Sequence, residues 1–258
     1  MLGNFPELVA GSGPPLVMLA GLLPEAGVSG RLRKANVGTV LPWADGREVH
    51  FLNRYPGLRP GLTFSELAAE HADAIRSRFD GPVDLVGMST GGSIAQQLAA
   101  EHPDVVRRLV LVSTGCRLVG IAKSDQRRIA ARVRRGDLRR AGAVGGAAFV
   151  ENRTGLKAVV GAAGGWLLTP YLFSAQGLAD VATTAEAEDT FDLAALPPIG
   201  AATLLVAGGR DPFYPTEIVK ETVALIADCR LDLRPDGGHV SVLMVPGVLA
   251  GALQFLKG

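Results

Sequence analysis

Apolar residues in this chain alternate between two patterns. Short continuous apolar runs are separated by longer stretches with apolar positions every third or fourth residue. The runs "PPLVMLAG" (14–21), "VHFLNR" (49–54), "VDLVGM" (83–88), "VRRLVLVST" (106–114), "ATLLVAGG" (202–209) and "CRLDLRP" (229–235) read as strands. The intervening "TFSELAAEHADAIRSRF", "SIAQQLAAEHP", "PTEIVKETVALIA" and "VPGVLAGALQFLKG" carry helical periodicity, with Ser65 expected to cap the first and Pro103 to stop the second. Continuous apolar strands alternating with helices predict an α/β class protein: a doubly wound, mostly parallel sheet covered on both faces.

The alternation breaks between about residues 120 and 196. That stretch lacks strand signals and is rich in Ala, Gly and Arg, with helices expected near 123–140, 141–151, 155–168 and 175–188. A helical block inserted into such a sheet is most simply a cap. The expected division is therefore a core of residues 1–119 and 197–258 with a helical cap at 120–196. The Gly/Ala-rich "VGGAAF" and "VVGAAGGW" within it suit close helix packing better than flexing. The stretch between Gly21 and Val49, including "PEAGVSGRLRKANV", is long for a simple crossover, and its structure is not readable from the pattern.

Composition narrows the functional classes. The 258 residues are 48% hydrophobic and 20% charged, with a formal net charge of +1, so a large core forms and nothing global favours nucleic acid. Arginines concentrate between Arg127 and Arg140, which reads as a solvated helix face. Two cysteines, Cys116 and Cys229, make neither a disulfide framework nor a metal motif, and no metal or cofactor is expected. The longest apolar run, Leu16 to Leu23, is too short to cross a bilayer. With no basic, apolar leader at the N-terminus, a cytoplasmic monomer or homodimer acting on a small molecule, without membrane or nucleic acid, is the expectation.

One stretch carries chemistry. In "LVGMSTGGSIAQQLAAEHP" (85–103) a strand stops at Gly87, Ser89 lies between Gly87 and Gly91, and a helix begins at once. A serine there is either a helix cap or a nucleophile on a sharp turn, whose neighbours must be small. On that turn its Oγ sits at the carboxyl end of the sheet, and the N–H of Thr90, at the helix N-terminus, points to the same place. A nucleophilic serine needs a base and a group that orients it. His71 lies inside a helix pattern, His102 at a helix end and His50 at the start of a strand, all positions typical of structural histidines. His239, in the Gly-rich loop of "RPDGGHVSV", follows the last strand, and Asp211 follows the strand before it in "LLVAGGRDPFYP". Loops after parallel strands gather at one rim of an open sheet. Asp192 and Asp236 are weaker candidates for the acid.

"GMSTGG", "AGGRDPFYP", "GGH" and the helical insert together resemble the α/β-hydrolase superfamily over nearly the whole chain. The resemblance implies Ser89 as nucleophile, His239 as general base and Asp211 as its orienting acid. It also implies an oxyanion hole made by the backbone N–H groups of Thr90 and, in the loop after the "LVMLA" strand, Leu22. Ala20 stands where many relatives have a histidine in that loop, and Met88 where many have a polar residue before the serine. In "NRYPG", Arg54 remains from an Asp-x-Arg turn and is assigned to bracing the loop. Met88, Trp166, Tyr171 and Phe213 are the expected substrate-binding side chains.

The implied chemistry is hydrolysis of a small, moderately hydrophobic carboxylic ester, lactone or thioester through an acyl-enzyme. A serine nucleophile argues against the branches that attack with a carboxylate. A carbon–carbon bond hydrolase, a cofactor-free perhydrolase of haloperoxidase type, or a non-catalytic ligand-binding receptor on the same fold remain as alternatives.

Overall fold

Alternate residues along the strands face two different helix layers. The computed structural model describes residues 5–23, 33–150 and 155–258. In chain order, β1 (Glu7–Gly11), β2 (Pro15–Leu19), α1 (Arg33–Val40), β3 (Glu48–Leu52), α2 (Phe64–Arg78), β4 (Val83–Met88), α3 (Thr90–Glu101) and β5 (Val106–Val112) make the first half. Four helices follow, α4 (Gly120–Arg134), α5 (Leu138–Ala148), α6 (Gly155–Leu172) and α7 (Ala175–Glu188). The chain then returns through β6 (Ala202–Gly208), α8 (Thr216–Leu225), β7 (Cys229–Arg234) and α9 (Val248–Lys257).

The sheet has seven strands in the order β1-β3-β2-β4-β5-β6-β7, with β1 antiparallel to β3 and the other pairs parallel. Val17, Leu85, Leu109 and Leu205 point to one layer with Leu67, Ile75, Ile94 and Val219 of α2, α3 and α8. Their neighbours Met18, Val86, Val110 and Val206 point to the other, with Val40, Val248, Ala252 and Leu256 of α1 and α9. This period of two, with both faces buried, produces the continuous apolar runs of the sequence.

Several elements differ from the sequence reading. β1 was not anticipated: it is an edge strand of three half-buried and two exposed residues, too short and too mixed to stand out. The cap of α2 is Thr63 rather than Ser65. Thr63 Oγ1 accepts from the Glu66 N–H (3.2 Å), and Glu66 Oε2 accepts from the Thr63 N–H (2.8 Å), a reciprocal capping box. The boundary expected between residues 140 and 141 falls earlier, with α5 starting at Leu138. α4 ends where Gly136 turns left-handed (φ 74°) and Asp137 N–H reaches back to the Arg132 carbonyl (2.9 Å). Part of the unreadable stretch before Val49 folds as α1; residues 24–32 lie outside the described residues.

Within the four-helix segment, α5 and α6 meet on glycine. A Cβ on Gly146 would lie 2.1 Å from the Gly161 carbonyl oxygen, and one on Gly165 would lie 2.0 Å from that of Gly142. The Gly/Ala stretches therefore serve close packing. α6 runs on to Leu172 through Pro170. Proline has no N–H for the Trp166 carbonyl, and Arg139 Nη1 donates to that oxygen instead (3.4 Å), with its guanidinium 4.6 Å from the Trp166 ring centre. The arginine run is largely ion-paired: Arg127 with Asp189 (2.8 Å), Arg132 and Arg140 with Asp137 (3.1 and 3.3 Å), Arg134 with Glu186 (2.6 Å). Among the described residues no helix is long and apolar enough to cross a membrane.

At the amino end of the sheet, buried Asp84 accepts from Arg47 Nη1 (2.6 Å) and pairs with Arg107. Arg47 Nη2 and Arg108 Nη1 donate to the Leu256 carbonyl at the end of α9 (2.7 and 3.0 Å). Cations at a helix C-terminus complement its dipole. Asp84→Ala leaves the buried Arg47 without its carboxylate. It is expected to lower the unfolding free energy in urea by about 3–5 kcal/mol; a loss under about 1 kcal/mol would count against this account.

Burial also sets a pH dependence. His71 in α2 is buried, donates from Nδ1 to the Leu67 carbonyl (2.7 Å), and is lowered by desolvation to a pKa of about 4. Between that value and the ordinary 6.5, the unfolded chain takes up a proton that the folded chain refuses. Stability therefore falls as pH drops through this window, by roughly 3 kcal/mol in full. In paired urea titrations at pH 7 and 4.5, His71→Gln should lose markedly less stability than wild type. Equal losses would remove His71 as the cause.

Candidate active site

Gly87, next to last in β4, lies under α3, where a Cβ would sit 2.6 Å from the Ala95 side chain and from the Gly91 carbonyl. A Cβ on Gly91 would meet the Leu19 and Ala20 carbonyls at 2.3 and 2.5 Å, and one on Gly92 the Thr114 side chain at 2.5 Å. With no side chains at these three positions, the first turn of α3 packs directly on the ends of β2 and β5. Ser89 makes the turn in a left-handed conformation (φ 53°), a strain of about 1–3 kcal/mol that non-glycine residues keep only where the surroundings impose it. Its N–H bonds the Val112 carbonyl (3.0 Å), and its own carbonyl accepts from Gly92 and Ser93 (2.7 and 3.1 Å).

His239 Nε2 lies 3.0 Å from Ser89 Oγ, and His239 Nδ1 lies 2.8 Å from Asp211 Oδ2. Three strand ends thus bring the three side chains into one line. Asp211 is fixed by its other oxygen, which accepts from the N–H groups of Phe213 and Tyr214 (2.7 and 3.2 Å). The aspartate and histidine loops are also bound to each other. Arg210 N–H donates to the Gly237 carbonyl (2.9 Å), and Gly208 leaves room for that carbonyl, 2.3 Å from where its Cβ would be. With Nδ1–H donating to the carboxylate, Nε2 is the atom that accepts from the serine.

The other candidates are engaged elsewhere. Asp192 caps a short turn through the Ala194 N–H (3.1 Å), and Asp236 pairs with Arg210. His50 bonds Glu48 (2.8 Å), and His102 ends α3 near Arg76 (3.4 Å).

The loop after β2 passes directly beside the serine, with a Gly21 Cβ position 3.4 Å from Ser89 Cβ. Leu23 N–H closes a tight turn on the Gly21 carbonyl (2.8 Å), presenting the intervening Leu22. Buried Arg54 donates to the carbonyls on both sides, Gly21 (3.2 Å) and Leu23 (2.5 Å). Leu22 itself packs on an apolar cluster of α4, α5 and α7. Thr90 occupies the first turn of α3, where helix N–H groups lack intrahelical acceptors.

Of the expected binding residues, Phe213 lies against the His239 ring, with centres 4.5 Å apart, and Met88 is half-buried beside Ser89. Trp166 and Tyr171 stand exposed on α6. The ring that the inserted helices bring to the site is Phe149, at the end of α5, 5.3 Å from Phe213 and 6.3 Å from His239.

Sequence reasoning missed three further residues. Ser113, also left-handed (φ 49°), donates from Oγ to the His239 carbonyl (2.6 Å). Glu188, the last residue of α7, is buried and accepts from Thr90 Oγ1 (2.8 Å) and Gln126 Nε2 (2.6 Å). Desolvation holds its carboxyl above the usual carboxylate range. Asp180, about two turns earlier in α7, accepts from the Gly57 and Leu58 N–H groups (3.0 and 2.8 Å). Among the described residues no group of three or more His, Cys, Asp or Glu side chains is arranged to hold a metal.

Known proteins resemble this chain in sequence and in fold. A protein of Chromobacterium violaceum named pimeloyl-[acyl-carrier protein] methyl ester esterase is 36% identical over 110 residues, 42% of this chain and 40% of that one. A protein of the same name from Neisseria meningitidis serogroup B is 48% identical over 50 residues, 19% of each chain. The matched stretches thus span about a fifth to two fifths of those curated relatives. An alpha/beta hydrolase enzyme from a Medee basin deep-sea metagenome library superposes with a TM-score of 0.79 at 17% identity, over 98% of this chain and 93% of the other. The model of the alpha/beta hydrolase family matches residues 22–252. The chain belongs to the alpha/beta hydrolase family.

Proposed function

We propose that this chain is a serine hydrolase that cleaves a small, moderately hydrophobic carboxylic ester, with a lactone or thioester as chemically equivalent substrates. The observation that carries this reading is the continuous hydrogen-bonded line from Ser89 Oγ through His239 to Asp211 Oδ2. Relatives named as methyl ester esterases support an ester as the bond cleaved.

In this mechanism Ser89 Oγ attacks the carbonyl carbon as its proton passes to His239 Nε2. Asp211, bonded to Nδ1–H, stabilises the imidazolium. The new oxyanion takes hydrogen bonds from the N–H groups of Thr90 and Leu22, each aimed before the charge develops. His239 then returns its proton to the departing alkoxide or thiolate, leaving the acyl group on Ser89. Water enters, His239 takes one of its protons, and the hydroxide so formed attacks the acyl carbon. Collapse of the second tetrahedral intermediate releases the acid and restores the Ser89 hydroxyl. Phe149, Phe213 and Met88 give the acyl or alcohol portion apolar contact. The helices of residues 120–196 act as a cap over this pocket.

Incubation with a fluorophosphonate should add one adduct, mapping to Ser89, by intact-protein mass and peptide mapping. Ser89→Ala should take none, and His239→Ala should label far more slowly. Asp211→Asn should lower kcat on p-nitrophenyl butyrate by roughly a thousand- to ten-thousandfold. A well-folded wild type that neither labels nor hydrolyses esters would leave the receptor reading standing in its place.

A further inference from the structure

Two fully buried ionisable side chains flank the site without touching the reacting atoms, and each is tied to one of the two oxyanion donors. Arg54 donates to the carbonyl of Gly21, which shares its peptide group with the Leu22 N–H, and to the carbonyl of Leu23, two peptide groups further on. Glu188 Oε2 accepts the hydroxyl of Thr90, the residue whose own N–H is the second donor. Neither contact is incidental. Fixing the Gly21 carbonyl fixes the plane of the peptide unit that it shares with the Leu22 N–H, and so the direction of that N–H, while the bond to Leu23 holds the far side of the turn. The Thr90 hydroxyl, held from below, sets the rotation of the first residue of α3.

The two side chains also feel each other. Glu188 and Asp180 are the negative groups acting on Arg54, and Arg54 is the positive group acting on Glu188. Desolvation opposes both charges, lowering Arg54 to about 10 and raising Glu188. His71, from α2, also lies within electrostatic reach of Arg54, and the Tyr214 hydroxyl within reach of Glu188. Ser93 of α3 and Gln126 of α4 complete the polar shell of Glu188. An isolated buried charge is costly, so such a pair persists where it fixes a geometry or where its members compensate each other.

We propose that Arg54 and Glu188 are positioning residues that jointly set the oxyanion hole, Arg54 aiming the Leu22 N–H and Glu188 aiming the Thr90 N–H. Because Glu188 ends α7 and Gln126 belongs to α4, the same pair couples the hole to the inserted helices. The proposal rests on the serine hydrolase reading and extends it to residues that reading does not use.

The test is a kinetic double-mutant cycle with p-nitrophenyl butyrate, with thermal unfolding run on every variant. Thr90→Val keeps the backbone donor and the side-chain shape but removes the hydroxyl. It and Glu188→Leu should each lower kcat about 10- to 100-fold with KM changed less than about threefold, since a misplaced donor is felt in the transition state. The double variant should be no slower than the slower single, because Glu188 acts through that hydroxyl. Glu188→Gln keeps an acceptor oxygen and should restore most of kcat. Arg54→Met should lower kcat by a similar factor and add to the effect of Thr90→Val, because it acts on the other donor. Should Glu188→Leu or Arg54→Met fail to fold, Thr90→Val and Glu188→Gln decide alone. Full kcat in Thr90→Val, or a Glu188→Gln as slow as Thr90→Val, overturns the proposal. A wild type that is active with unaffected variants overturns this inference only; a wild type that hydrolyses no ester overturns the hydrolase reading as well.

Discussion

The constraint on which the site depends is the absence of side chains where α3 meets the strand ends. The Leu19 and Ala20 carbonyls lie within 2.3–2.5 Å of where a Cβ of Gly91 would be. That contact puts the N-terminus of α3 against the loop carrying Gly21 and Leu22. Gly87 and Gly92 allow the same approach on the β4 and β5 sides. Once the helix is seated, Ser89 has no other path between strand and helix than a left-handed turn. The strained serine, the first-turn N–H of Thr90 and the nearness of Leu22 all follow from one packing requirement.

The two ends of the sheet are specialised in opposite ways. At the amino end, Arg47, Arg107 and Arg108 gather on Asp84 and the Leu256 carbonyl near the end of α9. Charges there are satisfied inside the fold. At the carboxyl end, loops after β2, β4, β5, β6 and β7 each deliver one element: Gly21, Ser89, Ser113, Asp211 and His239. These loops are braced on one another, as Ser113 on the His239 carbonyl and Arg210 on Gly237 show. Precision at this rim comes from loop-to-loop hydrogen bonds more than from burial.

Much of this was legible in the sequence. The central strands announce themselves because both of their faces are buried, and Ser89 and Asp211 each sit just past such a strand, with His239 past the more exposed edge strand β7. What was not legible depends on tertiary partners. β1 gains its identity only by pairing with β3. Glu188 closes an Ala/Thr-rich helix whose pattern gives no sign that its last residue turns inward to Thr90. Phe149 looks like any aromatic at a helix end until the insertion lays it beside Phe213. Ser113 carries no signal of its role, because a hydroxyl bracing a backbone carbonyl leaves no motif. Even the cap of α2 turned on which of two nearby hydroxyls, Thr63 or Ser65, had Glu66 three residues later.

The glycine contact between α5 and α6 has a mechanical meaning. Side-chain layers between helices act as springs, because rotamers can adjust as the helices slide. Here backbone rests on backbone at Gly142, Gly146, Gly161 and Gly165, and Arg139 pins the carbonyl that Pro170 leaves open. The two helices therefore form one stiff lever whose end carries Phe149. Any displacement of that lever is delivered undamped to the ring beside His239.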